Sequence, residues 1–522
     1  MLRALALLAL LGAASSRCRF ALDYTCAALQ QPAPLNAFLL SYATGQAAFA
    51  AADGVGVDTA SGLTYDGHAL DYATGALLPG GLHAFSAASK ECVHVALLAL
   101  AVGNSSLALA ALGGLQPALT AAARKLASYA AFNASTPGYG CHLPWFQVPS
   151  MAPVGDWASP PRVPALDNGE LAWAVLALAE ALGSAGHAGL AAGYRAWFAC
   201  MAGSARALFF QEADGTVAAV AVVGNVSAPP QGNDYAPASA ARLADPFEGE
   251  TMTVLLDLFS TLDAAQREAM WAAKRALLVA ATYTAASGQP LTAQAGWWFS
   301  AHENWKAALL PYASVPTAAR VLASTERART HHAADHGWPA LLASTTDVAP
   351  PGRAPGGYVS AAGVQQLALA RDAFRTDVAA PYGAWMVLLH NASAGACWLR
   401  SVLAAPRAQG PHGATEAVAV NGTMISPLMT WDTSMTTVLA SAGGVGGLVG
   451  QALRRLPAGG GGLLQPPARP SPPWTASRRA WRQSTPASSP ACRARTRALR
   501  CPPLTFPRAP SAPGRPAARV GR

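Results

Sequence analysis

The sequence predicts an all-α fold. Helical hairpins follow one another and close into a barrel, with one small β-hairpin as the exception. Three observations predict it. The 522-residue chain is rich in Ala and Leu and only 12% charged, and Ala and Leu lose little conformational freedom in a helix. Apolar residues recur at three- and four-residue spacing in stretch after stretch, without a strong alternating strand pattern. Four acidic segments stand where helices should begin: Asp167-Asn168-Gly169-Glu170, Asp245-Pro246-Phe247-Glu248-Gly249-Glu250, Ser300-Ala301-His302-Glu303-Asn304-Trp305 and Thr430-Trp431-Asp432-Thr433. The first three read as capping boxes, a small polar residue followed three positions later by Glu and then by an apolar run. The inner helices of such a barrel run parallel, so their N-termini should gather on one face.

Along the chain, residues 1–16 read as a secretory signal. Arg3 supplies the positive end, residues 4–11 the apolar core, and residues 12–16 the small residues needed for cleavage. Five N-glycosylation sequons, at Asn104, Asn133, Asn225, Asn391 and Asn421, agree with export. Helices are expected at about 35–51, 90–102, 117–132, 169–182, 190–210, 249–262, 264–280, 302–310, 361–374, 383–390 and 431–453. Asp214-Gly215 between apolar runs marks a hairpin within 207–223. Long loops at 139–164, 229–246 and 338–357 carry aromatics and Gly-Pro punctuation, and loops on a rigid scaffold are where binding surfaces form. The barrel domain is expected over 17–453. From about Pro457 repeated Pro and Arg replace large apolar residues, so 454–522 is expected to be a disordered tail.

The charge balance is split. The tail holds fourteen Arg and no acidic residue, which leaves 22 basic against 27 acidic groups in the rest of the chain. A mildly acidic body offers no nucleic-acid-binding face. The uncharged run 433–453, followed by Arg454-Arg455, has the outline of a membrane span. Its Thr, Ser and Gly content favours a buried terminal helix instead. In an oxidising compartment the cysteines should pair, and Cys18 with Cys26 could close a small N-terminal loop. Six cysteines in the body allow 15 pairings, and the sequence does not choose among them. His331, His332, Asp335 and His336 cluster, but adjacent His side chains rarely face one ion and no second cluster completes a shell, so no metal or cofactor is expected. No nucleophile elbow and no P-loop occurs.

Carboxylates meeting across a cleft are how glycosidic bonds are usually broken. Glu248 would be the third residue of a helix capped by Asp245, Glu250 lies two positions on, and Asp432 follows Trp431, whose ring could shield it from water. Whether Glu248 or Glu250 is the acid stays open on spacing alone, since a capping role for Glu248 fits the same signature. Asp167 and Glu170 are candidates for sugar hydroxyls, with Trp145 and its neighbours supplying apolar faces. His302, Glu303, Trp305, Trp338, His412 and Glu416 complete the expected lining.

These motifs resemble the eukaryotic endo-β-1,2-glucanases of glycoside hydrolase family 162. The run Asp167–Trp173, the segment Asp245–Glu250, His302-Glu303-Asn304-Trp305-Lys306 and Thr430–Thr433 keep the family's order and spacing over about residues 34–440. The resemblance implies an (α/α)6 barrel, secretion, no metal, and inverting hydrolysis within β-1,2-glucan chains to sophorose-type oligosaccharides. It also implies Glu248 as general acid and Asp432 as general base, with protons passing through a substrate hydroxyl and bound water. The Pro-rich tail departs from the family's pattern. The expected partner is a polysaccharide, not nucleic acid or membrane, and the expected assembly is a monomer. The alternatives are a related hydrolase or phosphorylase on another glucan, and a catalytically silent glycan-binding barrel.

Overall fold

The computed structural model of the chain describes residues 19–231, 234–247, 249–370 and 374–455. The signal segment 1–16, Glu248 and the tail from 456 onward lie outside the described residues. The chain is mainly helical, with small sheets between the helices. The helices are α1 (Pro32–Ala50), α2 (Ala88–Val102), α3 (Ser106–Ala111), α4 (Leu115–Ser135), α5 (Ala165–Ser184), α6 (Ala188–Phe209), α7 (Glu250–Phe259), α8 (Ala264–Ala276), α9 (Lys306–Leu309), α10 (Pro316–Asp335), α11 (Trp385–His390), α12 (Ala392–Leu403), α13 (Thr436–Ser441) and α14 (Gly446–Arg455).

Burial sorts these helices into two kinds. Helices α2 and α5 are mostly apolar and bury residues on every face, the pattern of a helix enclosed by protein. Helix α6 instead buries one stripe, Ala191, Tyr194, Trp197, Phe198, Met201, Ala205 and Leu208, and packs on the outside of α5. Contacts then run from one enclosed helix to the next. Helix α2 packs on α5, α5 on α7, α11 on α13, and α13 on α2. Glu250 at the start of α7 pairs with Lys306 at the start of α9. Trp305, just before α9, donates its indole N–H to the Tyr382 hydroxyl just before α11 at 2.5 Å. The starts of six helices are thereby linked in turn.

One small sheet matters for the site. Strand Gly67–Leu70 lies between Leu428–Thr430 and Leu77–His83, antiparallel to both, with Gly67 opposite Thr430 on one side and His83 on the other. A Cβ on Gly67 would meet the Met429 carbonyl oxygen at 2.1 Å, so this close pairing requires Gly. The sheet delivers Asp66, His83 and Trp431 to one edge.

Several expectations need correction. The described residues of 361–374 form no α-helix and hold only a 3-10 turn, Gln365–Leu367. Val364 and Leu367 spend their helical spacing on a side cluster with Tyr283 and Phe299, while Gly363 presses on the carbonyls of Trp298 and Phe299. The terminal helix 431–453 is broken into a π-helical turn Trp431–Met435, α13 and α14, with a 72° bend between the pieces. Gly443 and Gly444, both at positive φ, make the corner. Among the described residues no single helix is long and apolar enough to cross a membrane. Helices α10 and α12 were not anticipated: α10 fills part of its buried stripe with Thr325, Arg329 and His332, and α12 is capped by Asn391, read only as a sequon.

The first capping box is also absent, and Asp245 does not cap α7. Helix α5 starts at Ala165, so Asp167 lies inside its first turn, and Asn168 ties the backbone of Leu143 and Pro164 instead. Asp245 accepts from the Phe247 N–H at 2.7 Å and α7 begins only at Glu250. The third box stands: Glu303 accepts from the Ser300 N–H at 2.6 Å. The expected hairpin pairs Phe210–Gln211 with Thr216–Val217. Cys26 pairs with Cys397, not Cys18, and Cys141 with Cys200.

Candidate active site

Lys90 organises the site. It lies in the first turn of α2 with its side chain 9% exposed, and its ammonium sits 2.6 Å from Asp432 Oδ2 and 3.5 Å from Asp66 Oδ1. Asp66 Oδ2 lies 3.1 Å from His83 Nδ1. Asp66 reaches Asp432 through the sheet, because the Trp431 N–H donates to the Asp66 carbonyl at 3.2 Å. Thr430 caps the π turn by accepting from the Thr433 N–H, which fixes Asp432 in its opening turn. The Asp432 Oδ1 atom is buried and has no protein partner among the described residues.

Asp167 and Glu170, from the start of α5, face the same point. Burial raises the proton affinity of Asp432, with Lys90 as the main opposing influence. Burial raises Asp167 as well, against the pull of Lys90. Glu170 is pushed well above the ordinary carboxylate range by burial and then by Asp167 and Asp432, and its Oε1 has no protein partner among the described residues. Burial opposes ionisation of Asp66, but Lys90 and His83 outweigh it and hold its pKa below normal. The Asp66 hydrogen bond in turn raises His83. Beside these acids four rings stack nearly parallel, His83 on Phe85, Phe85 on Trp145 and Trp145 on Trp157, with centroids 5.6–6.2 Å apart. The Trp145 indole donates to Asp167 at 3.2 Å. Acids beside aromatic faces suit a sugar, whose hydroxyls and apolar ring faces they match.

A family model described as endo-β-1,2-glucanase SGL matches residues 63–457. The chain belongs to this family. An endo-β-1,2-glucanase from Talaromyces funiculosus, solved with sophorose, is 35% identical, and the match covers 84% of this chain and 90% of that one with a TM-score of 0.79. A mutant of the same enzyme, solved with β-1,2-glucan, matches equally. An endo-β-1,2-glucanase from Chitinophaga pinensis shares the fold at 12% identity, covering 81% and 98% of the two chains with a TM-score of 0.54. A search of curated proteins found no match.

The remaining acids of the glucanase fall into separate groups. Glu250 is 2% exposed, lies 2.8 Å from the Lys306 ammonium, and accepts the Tyr312 hydroxyl. Glu303 accepts from the Trp298 and Ser300 N–H groups, and burial and Asp245 raise its proton affinity strongly. Glu416 accepts from Thr345 and Thr346, and burial pushes its pKa up to about 7, with Asp66 adding to the rise. His302 bonds the Ser344 hydroxyl at 2.9 Å through Nδ1, and its Nε2 has no protein partner among the described residues.

Trp305 is buried against Tyr382, and Trp338 stacks on His336 at 4.5 Å. His412 lies beside His68 and the backbone of Ala48. None of these three has a described contact with the group around Lys90. The Trp431 ring also points away from Asp432: its N–H donates to the Gly56 carbonyl, and it packs on Phe49 and His94. The expected shielding therefore comes from the surrounding protein and not from that ring. Sequence reading missed Asp66, His83 and Lys90. The one available signal was Lys90 itself, the only Lys or Arg in the apolar stretch 88–102.

Proposed function

We propose that this endo-β-1,2-glucanase hydrolyses β-1,2-glucan to sophorose-type products with inversion, using Asp432 as general base and Glu248 as general acid. The observation that carries the reading is the placement of Asp432. One of its oxygens is held by Lys90, the other has no protein partner among the described residues, and two further acids face it from α5. A buried acceptor with no partner in a native protein calls for water or ligand, and a general base needs an oxygen within reach of the water it activates. Inversion requires space for that water between acid and base, about 6.5–9.5 Å between carboxyl groups, and more if a substrate hydroxyl relays the proton. Glu250 is the weaker candidate for the acid, because a buried ammonium and a phenol already engage it.

The linked helix starts support an (α/α)6 barrel with the acids at its N-terminal rim. Secretion fits the signal-like residues 1–16, the two disulfides, and the exposure of Asn104, Asn225, Asn391 and Asn421. The test is digestion of purified β-1,2-glucan, with products and anomeric configuration followed by NMR. Wild type should release short oligosaccharides with an inverted anomer, and Asp432→Asn and Glu248→Gln should each lose about 10²–10⁴ in rate while remaining folded. A retained anomeric configuration, or near-wild-type turnover by Asp432→Asn, sinks the mechanism.

A further inference from the structure

We propose that Lys90 is a positioning residue for the base, its ammonium shared between Asp432 and Asp66 so that the Asp432 carboxylate is fixed at the end of the His83–Asp66–Lys90 chain. This rests on the reading of Asp432 as base. A lysine in the first turn of a helix faces the positive end of the helix dipole. Lys90 is also almost wholly buried. Both placements are unfavourable for an ammonium unless anions offset them. The adjacent Glu91 does not do so, because it turns the other way, to Lys125, Tyr129 and Thr64. Two neighbouring residues of opposite charge thus ignore each other, and Lys90 is committed to the acids of the site.

The other groups acting on Asp432 are Asp66, from the sheet edge, and Asp167 and Glu170, from α5. The Cys92 thiol, also on α2, lies within electrostatic reach. His83 acts one step removed, through Asp66, and Glu416 faces that same pair. Among these groups Lys90 is the cation in direct contact with the base. Without it Asp432 would have no cation in contact and would take up a proton at higher pH. Asp66 has the opposite influence. It is an anion beside the base and draws part of the Lys90 charge.

The two roles predict pH shifts of opposite sign. The measurement is kcat/KM on soluble β-1,2-glucan against pH for wild type, Lys90→Met, Lys90→Arg, Asp66→Asn and Asp432→Asn, with thermal melts as the fold check. In Lys90→Met the acid limb should move up by about 1–3 pH units, the usual effect of a cation within contact distance of a carboxylate. Lys90→Arg, which keeps the charge, should return the limb toward its wild-type position even with a lowered kcat. Asp66→Asn should move the limb to lower pH. A role confined to packing would lower activity at every pH and leave the limb in place, and that result in both Lys90→Met and Asp66→Asn overturns the proposal. If Lys90→Met does not fold, Asp66→Asn decides alone: a downward shift supports the proposal and an unmoved limb overturns it. Near-wild-type turnover by Asp432→Asn would instead remove the base on which the proposal rests, whereas its inactivity with unmoved limbs in the other variants removes only the role of Lys90.

Discussion

Asp432 and Glu250 are both acids at helix starts, and their partners separate their roles. Glu250 has its charge matched by Lys306 and its oxygen occupied by Tyr312. Replacing it with Gln removes the carboxylate in contact with a buried ammonium, and breaking a buried pair costs about 3–5 kcal/mol. Glu250→Gln should therefore unfold at markedly lower urea concentration, yet its folded fraction should keep turning over glucan. If Glu250→Gln melts normally and is inactive, Glu250 is the acid. Glu416 gives a pH-dependent prediction. Its folded pKa of about 7 lies above the ordinary Glu value of about 4.3 in an unfolded chain. The native state therefore holds a proton that the unfolded state releases, and stability falls as pH rises through that interval. Glu416→Gln keeps an acceptor for Thr345 and Thr346 and has no proton to lose. Its melting temperature should match wild type below about pH 4.3, and the advantage over wild type should grow to roughly 3 kcal/mol by pH 7. Parallel melting curves across that range would contradict the burial argument.

At the scale of elements, Gly169 shows what the acidic helix starts are for. It sits in the second turn of α5, where Ala would favour the helix by about 0.8–1.0 kcal/mol. A Cβ there would meet the Met252 N at 2.7 Å and the Thr251 hydroxyl at 2.9 Å, both on α7. Overpacking against backbone costs about 1–3 kcal/mol, so the clash should outweigh the propensity. Gly169→Ala should melt lower and lose kcat/KM, because Asp167 and Glu170 ride on the displaced turn; a melting temperature above wild type would show that α7 yields without cost. The same position shows how the sequence was legible. Apolar spacing placed α1, α2, α4, α5 and α6 within a few residues, since their faces are made of Ala, Leu, Val and aromatics. It failed at α10, whose inward face includes Arg329 bonding the Leu342 and Gly383 carbonyls, and at 361–374, where the spacing served a side cluster. Asp432, Asp167 and Glu170 were named because acids near helix starts have a local signature, although the box read at Asp167 does not form. Asp66 and Lys90 have none that reaches across the chain: the meeting of Asp66 with Asp432 depends on strand Gly67–Leu70 pairing with Leu428–Thr430, a contact between residues more than three hundred positions apart.

For the whole molecule, the two disulfides divide the work between closing the chain and holding the site. Cys26–Cys397 spans 371 residues and Cys141–Cys200 spans 59. In the loop-closure model the longer link restrains the unfolded chain by roughly 1.6 kcal/mol more. It also ties the N-terminal segment to α12, where Arg400 donates to the Tyr24 carbonyl at 2.9 Å. That region has no described contact with Lys90 or Asp432. The shorter link anchors Cys141 at the head of the loop that carries Trp145, and Trp145 holds Asp167. Replacing Cys26 and Cys397 with Ser should therefore lower the melting temperature more than the paired Cys141 and Cys200 replacement, and leave KM for glucan unchanged. The Cys141 and Cys200 variant should melt closer to wild type but bind glucan less well, as its aromatic ladder loosens. Calorimetry and steady-state kinetics on the two double variants check both halves. An increase in KM confined to the Cys26 and Cys397 variant would mean that the distant closure, and not the Trp145 loop, sets the shape of the site.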